Sequence, residues 1–293
     1  MTRYFPGLFV VLWSTGFIGA RLGMPHAEPM SFLSVRFVLA ILVLLIMVLL
    51  VRAPWPGLRV ALHSMVVGML LHGIYLGAVF WAIDRGLPAG ISAMIVGLQP
   101  LLVAVLAGFI LGEVISRRHW MGLGIGVLGL VLVIVPKIEF GDVGINPTNV
   151  MVLIGATLAS TMGTVYQKKF AADVPLRTGT IWQYGGALIP VFLYALVFEN
   201  FEFDWNGELI FAFVWLVVVL SIVSIFLLMI LIREGSVSKV SSLLYLVPAS
   251  TAIIAFFLFG ETLNWIQLAG MGLCAFGVRM VVVVEADLPT KAN

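Results

Sequence analysis

Ten residues of this chain recur at one fixed offset of 148 positions. Pro100, Ala104, Ala107, Phe109, Gly112, Glu113, Gly122, Gly124, Gly129 and Val133 return without a gap as Pro248, Ala252, Ala255, Phe257, Gly260, Glu261, Gly270, Gly272, Gly277 and Val281. Ten identities in 34 aligned positions, four of them glycines and one a proline inside apolar sequence, exceed what a shared apolar composition gives. The chain reads as one unit duplicated, and its fold must accommodate two similar halves.

The unit is built for lipid. With 62% hydrophobic residues and 10% charged ones, the sequence lies far from soluble domains, about a quarter of whose residues are charged. Apolar runs of membrane-crossing length fall near 6–24, 31–51, 61–83, 87–111, 119–136, 149–167, 179–198, 208–232, 238–259 and 264–284. Charges and turn formers separate them, as in Pro54-Trp55-Pro56-Gly57, Asp84-Arg85-Gly86 and Gly141-Asp142-Val143-Gly144. Arg3 ahead of an apolar stretch imitates a signal peptide, but no small-residue cleavage site follows, and Leu8 to Met24 reads as the first span. Cys274, the single cysteine, excludes an intrachain disulfide framework and a cysteine metal cluster.

Lysine and arginine fall unevenly on alternate sides of these runs. Twelve lie on the side of the N-terminus and three, Arg21, Arg85 and Lys137, on the other, with Arg36 inside the second run. By the positive-inside rule both termini are expected in the cytoplasm of a multi-pass protein of the cytoplasmic (inner) membrane. The basic residues form no soluble patch, so the net charge of +2 does not point to nucleic acid. Five runs per copy is an odd number, which makes the second copy enter the membrane in the opposite sense. The expected fold is an all-α integral membrane protein of ten transmembrane helices. They form two inverted five-helix repeats, residues 1–141 and 149–293, around a central cavity. Such an architecture suits alternating access, with the substrate site between the copies.

Candidate site residues follow from polar groups at membrane depth, which are costly unless they face protein or a water-filled cavity. Pro100 and Pro248 stand at matching positions of the fourth and ninth runs, where a missing N–H frees a carbonyl and kinks the helix. Paired interruptions of this kind mark binding sites in transporters built from inverted repeats, although a packing kink would leave the same trace. Gln99 and Tyr245 lie within a turn of these prolines and are expected to face the cavity. His72 and Tyr75, three apart, share a helical face. The histidine either meets a substrate carboxylate or a proton, or is a neutral group hydrogen-bonded to a neighbouring helix. Trp13, Ser14 and Thr15 in the first run find rough counterparts in Ser160, Thr161 and Thr164 of the sixth, where small hydroxyl residues also allow close helix approach. Tyr166, Gln167, Gln183 and Tyr184 add polar tips, and Trp215, Ser221 and Ser224 are weaker candidates. Arg36 either snorkels to the headgroups or turns inward to bind an anion.

Glu113 and Glu261 resemble a proton-coupling pair, but reversed topology puts them on opposite faces. Each stands three residues before Ser116 or Asn264, good N-cap types, and is expected to favour the positive end of the helix that follows. The glycines of runs five and ten, Gly122, Gly124, Gly126 and Gly129 with Gly270, Gly272 and Gly277, predict a close-packed helix pair. Gly122-Leu-Gly-Ile-Gly is no nucleotide loop, since no strand precedes it. No cofactor or metal is expected.

The combined pattern resembles the ten-helix EamA-type members of the drug/metabolite transporter superfamily. Leu12-Trp13-Ser14, Pro29 with Arg36-Phe37, and the two Pro…Gly-Glu…Gly blocks from Pro100 to Gly129 and Pro248 to Gly277 carry the likeness, which covers essentially the whole chain. Tyr166-Gln-Lys-Lys and Gln183-Tyr184 depart from any motif of that pattern. The resemblance implies a central cavity lined by spans one, three, four, six, eight and nine, and export of small metabolites or drugs. The resulting expectation is a secondary exporter of a small polar or amphipathic, amino-acid-like metabolite. A multidrug or cation exporter, or a sugar-type permease of the same fold, is the alternative. A membrane-embedded enzyme acting on lipid-linked substrates would gather several Asp, Glu or His at one interface, and the acidic loop of Glu199, Glu202, Asp204 and Glu208 contains no histidine and reads as solvated. The expected partners are a small-molecule substrate and the lipid bilayer, in a monomer or weak homodimer.

Overall fold

Helix is the only regular structure such apolar runs can adopt, because lipid offers no partner for a free backbone N–H or carbonyl. The computed structural model describes residues 5–112, 116–135, 144–172, 174–224, 227 and 246–287. In chain order these form α1 (Phe5–Gly23), α2 (Pro29–Val51), α3 (Leu58–Gly68), α4 (Tyr75–Asp84), α5 (Ala89–Val96), α6 (Gln99–Leu111), α7 (Arg117–Ile134), α8 (Pro147–Phe170), α9 (Leu176–Phe198), α10 (Gly207–Val214), α11 (Leu246–Phe259) and α12 (Trp265–Asp287). A π-helical segment, Met69–Ile74, joins α3 to α4, and a second, Trp215–Ser224, prolongs α10. Seven helices are long and apolar enough to cross a membrane, and three shorter apolar ones occupy Trp120–Ile134, Leu246–Phe259 and Trp265–Gly277. The extended pairing among the described residues is an isolated bridge between Ala27 and Phe203.

Local chemistry sets the helix ends. Pro147 opens α8 behind Asn146, whose side chain accepts from the Asn149 N–H at 2.8 Å. Asn206 caps α10 in the same way through Leu209 N–H at 2.9 Å. At α12, Asn264 Oδ1 accepts from Gln267 N–H at 2.8 Å while Gln267 Oε1 accepts from Asn264 N–H at 3.0 Å, a reciprocal capping box. Gly112 and Gly260, duplicates of one another, end α6 and α11 with φ of 71° and 67°, the left-handed turn that glycine adopts without a Cβ penalty.

The core lies where α2, α4, α5 and α9 converge, around the fully buried Phe32, Phe37, Phe80, Ile83 and Met94. Apolar side chains also cover the outside, among them Leu50, Phe257 and Trp265, each more than three-quarters exposed. α7 and α12 pack backbone to backbone. A Cβ on Gly129 would stand 2.5 Å from Gly270 O, and one on Gly277 would stand 2.5 Å from Gly122 O. Between these crossings Cys274 Sγ donates to Gly126 O at 3.4 Å. The close glycine interface expected of this pair is present through Gly122, Gly126, Gly129, Gly270 and Gly277, while Gly124 and Gly272, with nothing within 4 Å of a built Cβ, stand outside it.

Candidate functional site

Two helices lose their regular ladder at corresponding places. The π segment at Met69–Ile74 maps, at the offset of 148, onto 217–222, inside the second segment Trp215–Ser224. Widened turns of this kind concentrate at functional sites, because they shift the hydrogen-bond register and re-aim side chains. Ser221 and Ser224 use the wider spacing, their hydroxyls donating to the carbonyls five residues back, Leu216 O at 3.1 Å and Val219 O at 3.0 Å. Periodicity in an apolar run carries no signal for such a bulge, and neither segment was legible in the sequence.

His72 projects from the first segment. Its Nε2 lies 3.4 Å from Gln183 Oε1 on α9, and its ring centroid is 5.0 Å from that of Tyr184. The approach depends on glycine: a Cβ on Gly68 would overlap the Gln183 backbone carbonyl, and one on Gly186 that of Met65. Tyr184 in turn stacks on Phe37 at 5.5 Å. Beside Phe37, Arg36 turns inward and is only 7% exposed, which answers the choice between headgroups and interior. Its guanidinium carbon is 5.9 Å from the Phe80 ring centroid, and its Nε has no hydrogen-bond partner among the described residues. Arg36, His72, Gln183 and Tyr184 thus form one group drawn from α2, the π segment and α9.

A second group joins α6 to α8. Gln99 Nε2 donates to Thr164 Oγ1 at 3.1 Å, and the threonine hydroxyl donates to Ser160 O at 2.9 Å. Pro100 lies in the first turn of α6, and the run is broken just before it, at Gly97 and Leu98, so the chain makes a fresh start rather than a simple kink. Gly97 is the contact point with the other copy, since a Cβ there would be 2.7 Å from Pro248 Cγ.

The remaining candidates are engaged in packing. Ser14 is fully buried, donates to Val10 O at 2.6 Å and faces Val247 O at 3.3 Å, while Thr251 Oγ1 donates to Ser14 O at 3.3 Å. It ties α1 to α11. Trp13 packs on Phe9 with centroids 5.3 Å apart, and Tyr75 is half-buried against the core. The neighbouring Thr15, by contrast, accepts from Trp215 Nε1 at 2.8 Å, linking α1 to the second π segment. Tyr245 and Glu113 lie outside the described residues. Two cavities, of about 60 and 30 Å³, run along α5 against α11 and α12. Glu261 lines the first and Pro248 the second, whereas Arg36, His72, Tyr75, Gln99, Thr164 and Gln183 line neither.

Carboxylates act at the helix ends. Glu261 accepts from Ala89 N–H at 2.9 Å and Gly90 N–H at 3.1 Å, so it caps α5 and not the helix that follows it, whose start Asn264 already serves. Glu199 likewise accepts from Met30 N–H, Ser31 N–H and Ser31 Oγ at 2.9, 2.6 and 2.7 Å, closing the start of α2. Glu28 returns the contact, accepting from Asn200 N–H at 2.8 Å. The acidic loop is therefore not simply solvated, and it does meet a histidine. His26, brought by the turn after α1, lies 3.1 Å from Glu208 Oε2 and 3.2 Å from Asp204 Oδ2. The bond to Glu208 and the neighbouring Asp204 hold the imidazole above its ordinary pKa, against an opposing desolvation. Among the described residues no group of His, Cys, Asp and Glu is arranged to hold a metal ion.

Known proteins resemble the chain along its whole length. The inner membrane transporter YedA of Escherichia coli K12, itself described as uncharacterized, is 25% identical over 281 residues, covering 96% of this chain and 90% of that protein. A probable amino-acid metabolite efflux pump of Salmonella typhimurium is 23% identical over 284 residues, 94% of this chain and 92% of the relative. A crystal structure with 17% identity superposes with a TM-score of 0.67 over 98% of this chain and 99% of its own, a likeness of fold alone. The model of the EamA-like transporter family matches twice, over residues 7–135 and 147–283, one match for each half of the duplication. The chain belongs to the EamA-like transporter family.

Proposed function

We propose that this protein is a secondary transporter of the inner membrane that exports small polar or amphipathic, amino-acid-like metabolites by alternating access. Its ten spans form two inverted five-helix repeats, with both termini in the cytoplasm. The crosswise glycine contacts of α7 and α12 carry the architectural part. Gly122 meets Gly277 and Gly129 meets Gly270, each α7 glycine touching the duplicate of the other. A two-fold operator between the copies produces that exchange, and an in-plane operator of this kind lets one asymmetric conformer convert into its mirror state. Export of amino-acid-like cargo is supported by the name of the Salmonella relative.

Among the described residues no carboxylate stands in the middle of a membrane helix, so coupling runs through His72 or the transport is facilitated. Counterflow of labelled amino acids, sugars and aromatic cations into proteoliposomes holding the full chain tests the reading. Counterflow of amino-acid-like compounds is expected, and a protein that moves none of the three classes is not a transporter of this kind.

A further inference from the structure

We infer that Arg36 is the docking point for an anionic group on the transported molecule, so that the cargo is a carboxylate-bearing metabolite whose amino group is dispensable. The inference rests on the transport reading above and narrows its substrate class. An arginine stays charged at any working pH, and a buried charge is tolerated only when it is paired and hydrogen-bonded. Arg36 is 7% exposed and has turned away from the headgroups. Among the described residues no carboxylate forms an ion pair with it, and its Nε is without a hydrogen-bond partner. None of its described neighbours neutralises it. Phe80 offers it an uncharged ring face at 5.9 Å.

A carboxylate would complete the site. The planar guanidinium presents parallel N–H groups in the spacing of two carboxylate oxygens, a bidentate match that a lysine or an amide does not provide. The side chains packed beside the guanidinium are apolar and aromatic on one side, Phe37, Phe80 and Tyr184, and polar on the other, His72 with Gln183, so cargo reaches Arg36 when alternating access parts these helices. An ammonium, by contrast, finds no carboxylate in this group. The anionic end is therefore read and the amino end is not.

The test uses proteoliposomes of the full chain and one matched pair, N-acetyl-L-phenylalanine and N-acetyl-L-phenylalaninamide, which differ in the carboxylate alone. The acid is expected to move at least tenfold faster than the amide. Arg36→Gln should lower transport of the acid at least tenfold and abolish the preference, while Arg36→Lys should recover part of both. Because the wild-type preference is measured without any variant, misfolding of Arg36→Gln cannot mask the answer. Equal rates for acid and amide overturn the inference, as does movement of cations or sugars with neither probe moving; both leave the transporter reading intact. Failure of every solute, whatever its charge, overturns the transporter reading itself and this inference with it. Vesicles of phosphatidylcholine alone and of phosphatidylcholine with phosphatidylglycerol separate cargo from lipid. If anionic lipid stabilises the wild type but not Arg36→Gln, and the acid does not compete with it, a headgroup phosphate is the partner and the inference fails.

Discussion

Gly126 and Cys274 touch across the α7–α12 crossing, sulfur to carbonyl oxygen at 3.4 Å, and they are 148 residues apart, the offset of the duplication itself. Each residue thus meets its own copy. Residues astride a two-fold axis behave in this way, and the glycines on either side exchange partners about that point.

Substitutions along this seam should divide by space rather than by residue type. A methyl on Gly129 or Gly277 would strike a backbone carbonyl at 2.5 Å, and backbone has little room to yield. Gly129→Ala is expected to cost about 1–3 kcal/mol, as overpacked cores do. Gly124 and Gly272, also duplicates, have nothing within 4 Å of a built Cβ, so alanine there should be neutral or stabilising by up to about 1 kcal/mol through helix propensity. Thermal unfolding in detergent, read as the temperature at which the monodisperse peak is lost, orders the four variants. Equal loss at all four positions would remove the packing account.

The caps supplied by Glu261 and Glu199 lead to a second prediction. Each carboxylate spans two copies or two distant helices to reach backbone N–H groups at a positive helix end. Replacement by glutamine keeps the shape but loses the charge, costing about 0.5–2 kcal/mol by the usual worth of a cap and a helix-end charge. Glu199→Gln should also raise the accessibility of a cysteine placed at Asn200 to a water-soluble thiol reagent, because the tie to α2 is loosened. Unchanged stability and labelling in both variants would contradict this.

Much of the fold was legible in the sequence, and the reason is the solvent. Lipid leaves an apolar run no choice but helix, so the runs and the Gly-rich seam could be placed before any coordinate. What the sequence did not disclose depends on the partner a residue finds. Glu261 looked like a cap for its own neighbour, but Asn264 and Gln267 already close that helix, which frees the carboxylate to cross to α5. His26 gave no sign that it would meet Asp204 and Glu208, 178 and 182 residues away. Ser14 and Gln99 read alike as polar groups at depth, yet one is absorbed into the α1–α11 contact and the other holds Thr164.

The Gln99–Thr164 bond can be tested by removing one partner. Thr164→Val keeps the volume but leaves the Gln99 amide without its acceptor at that point. The pair is half-buried, so the stranded donor should cost about 1 kcal/mol, the low end for an unsatisfied buried group, whereas Gln99→Leu with Thr164→Val removes both partners and should restore part of the loss. A double-mutant cycle on thermal stability measures the coupling. Additive losses would mean that the two side chains do not depend on each other.

His26 yields the pH dependence, and its sign follows from the raised pKa of the folded state. A group that binds its proton more tightly when folded adds stability that is fully present below its unfolded value, about 6.5. That contribution fades as pH rises through the higher folded value. The bond to Glu208 at 3.1 Å and the contact with Asp204 at 3.2 Å are thus strongest with the imidazole charged, in mildly acidic surroundings. The carboxylates are largely exposed, at 74% and 69% of their side chains, so water and salt screen the pair and the effect is small. Thermal stability of the wild type should fall relative to His26→Gln as pH is raised from 6 toward 8, and the difference should shrink in high salt. Parallel curves for the two proteins at every pH would show that the imidazolium contributes nothing to joining the turn after α1 to the loop after α9. The link between the turn after α1 and the loop after α9 would then rest on the backbone bond from Asp204 N–H to His26 O at 2.8 Å and on the caps at Glu28 and Glu199.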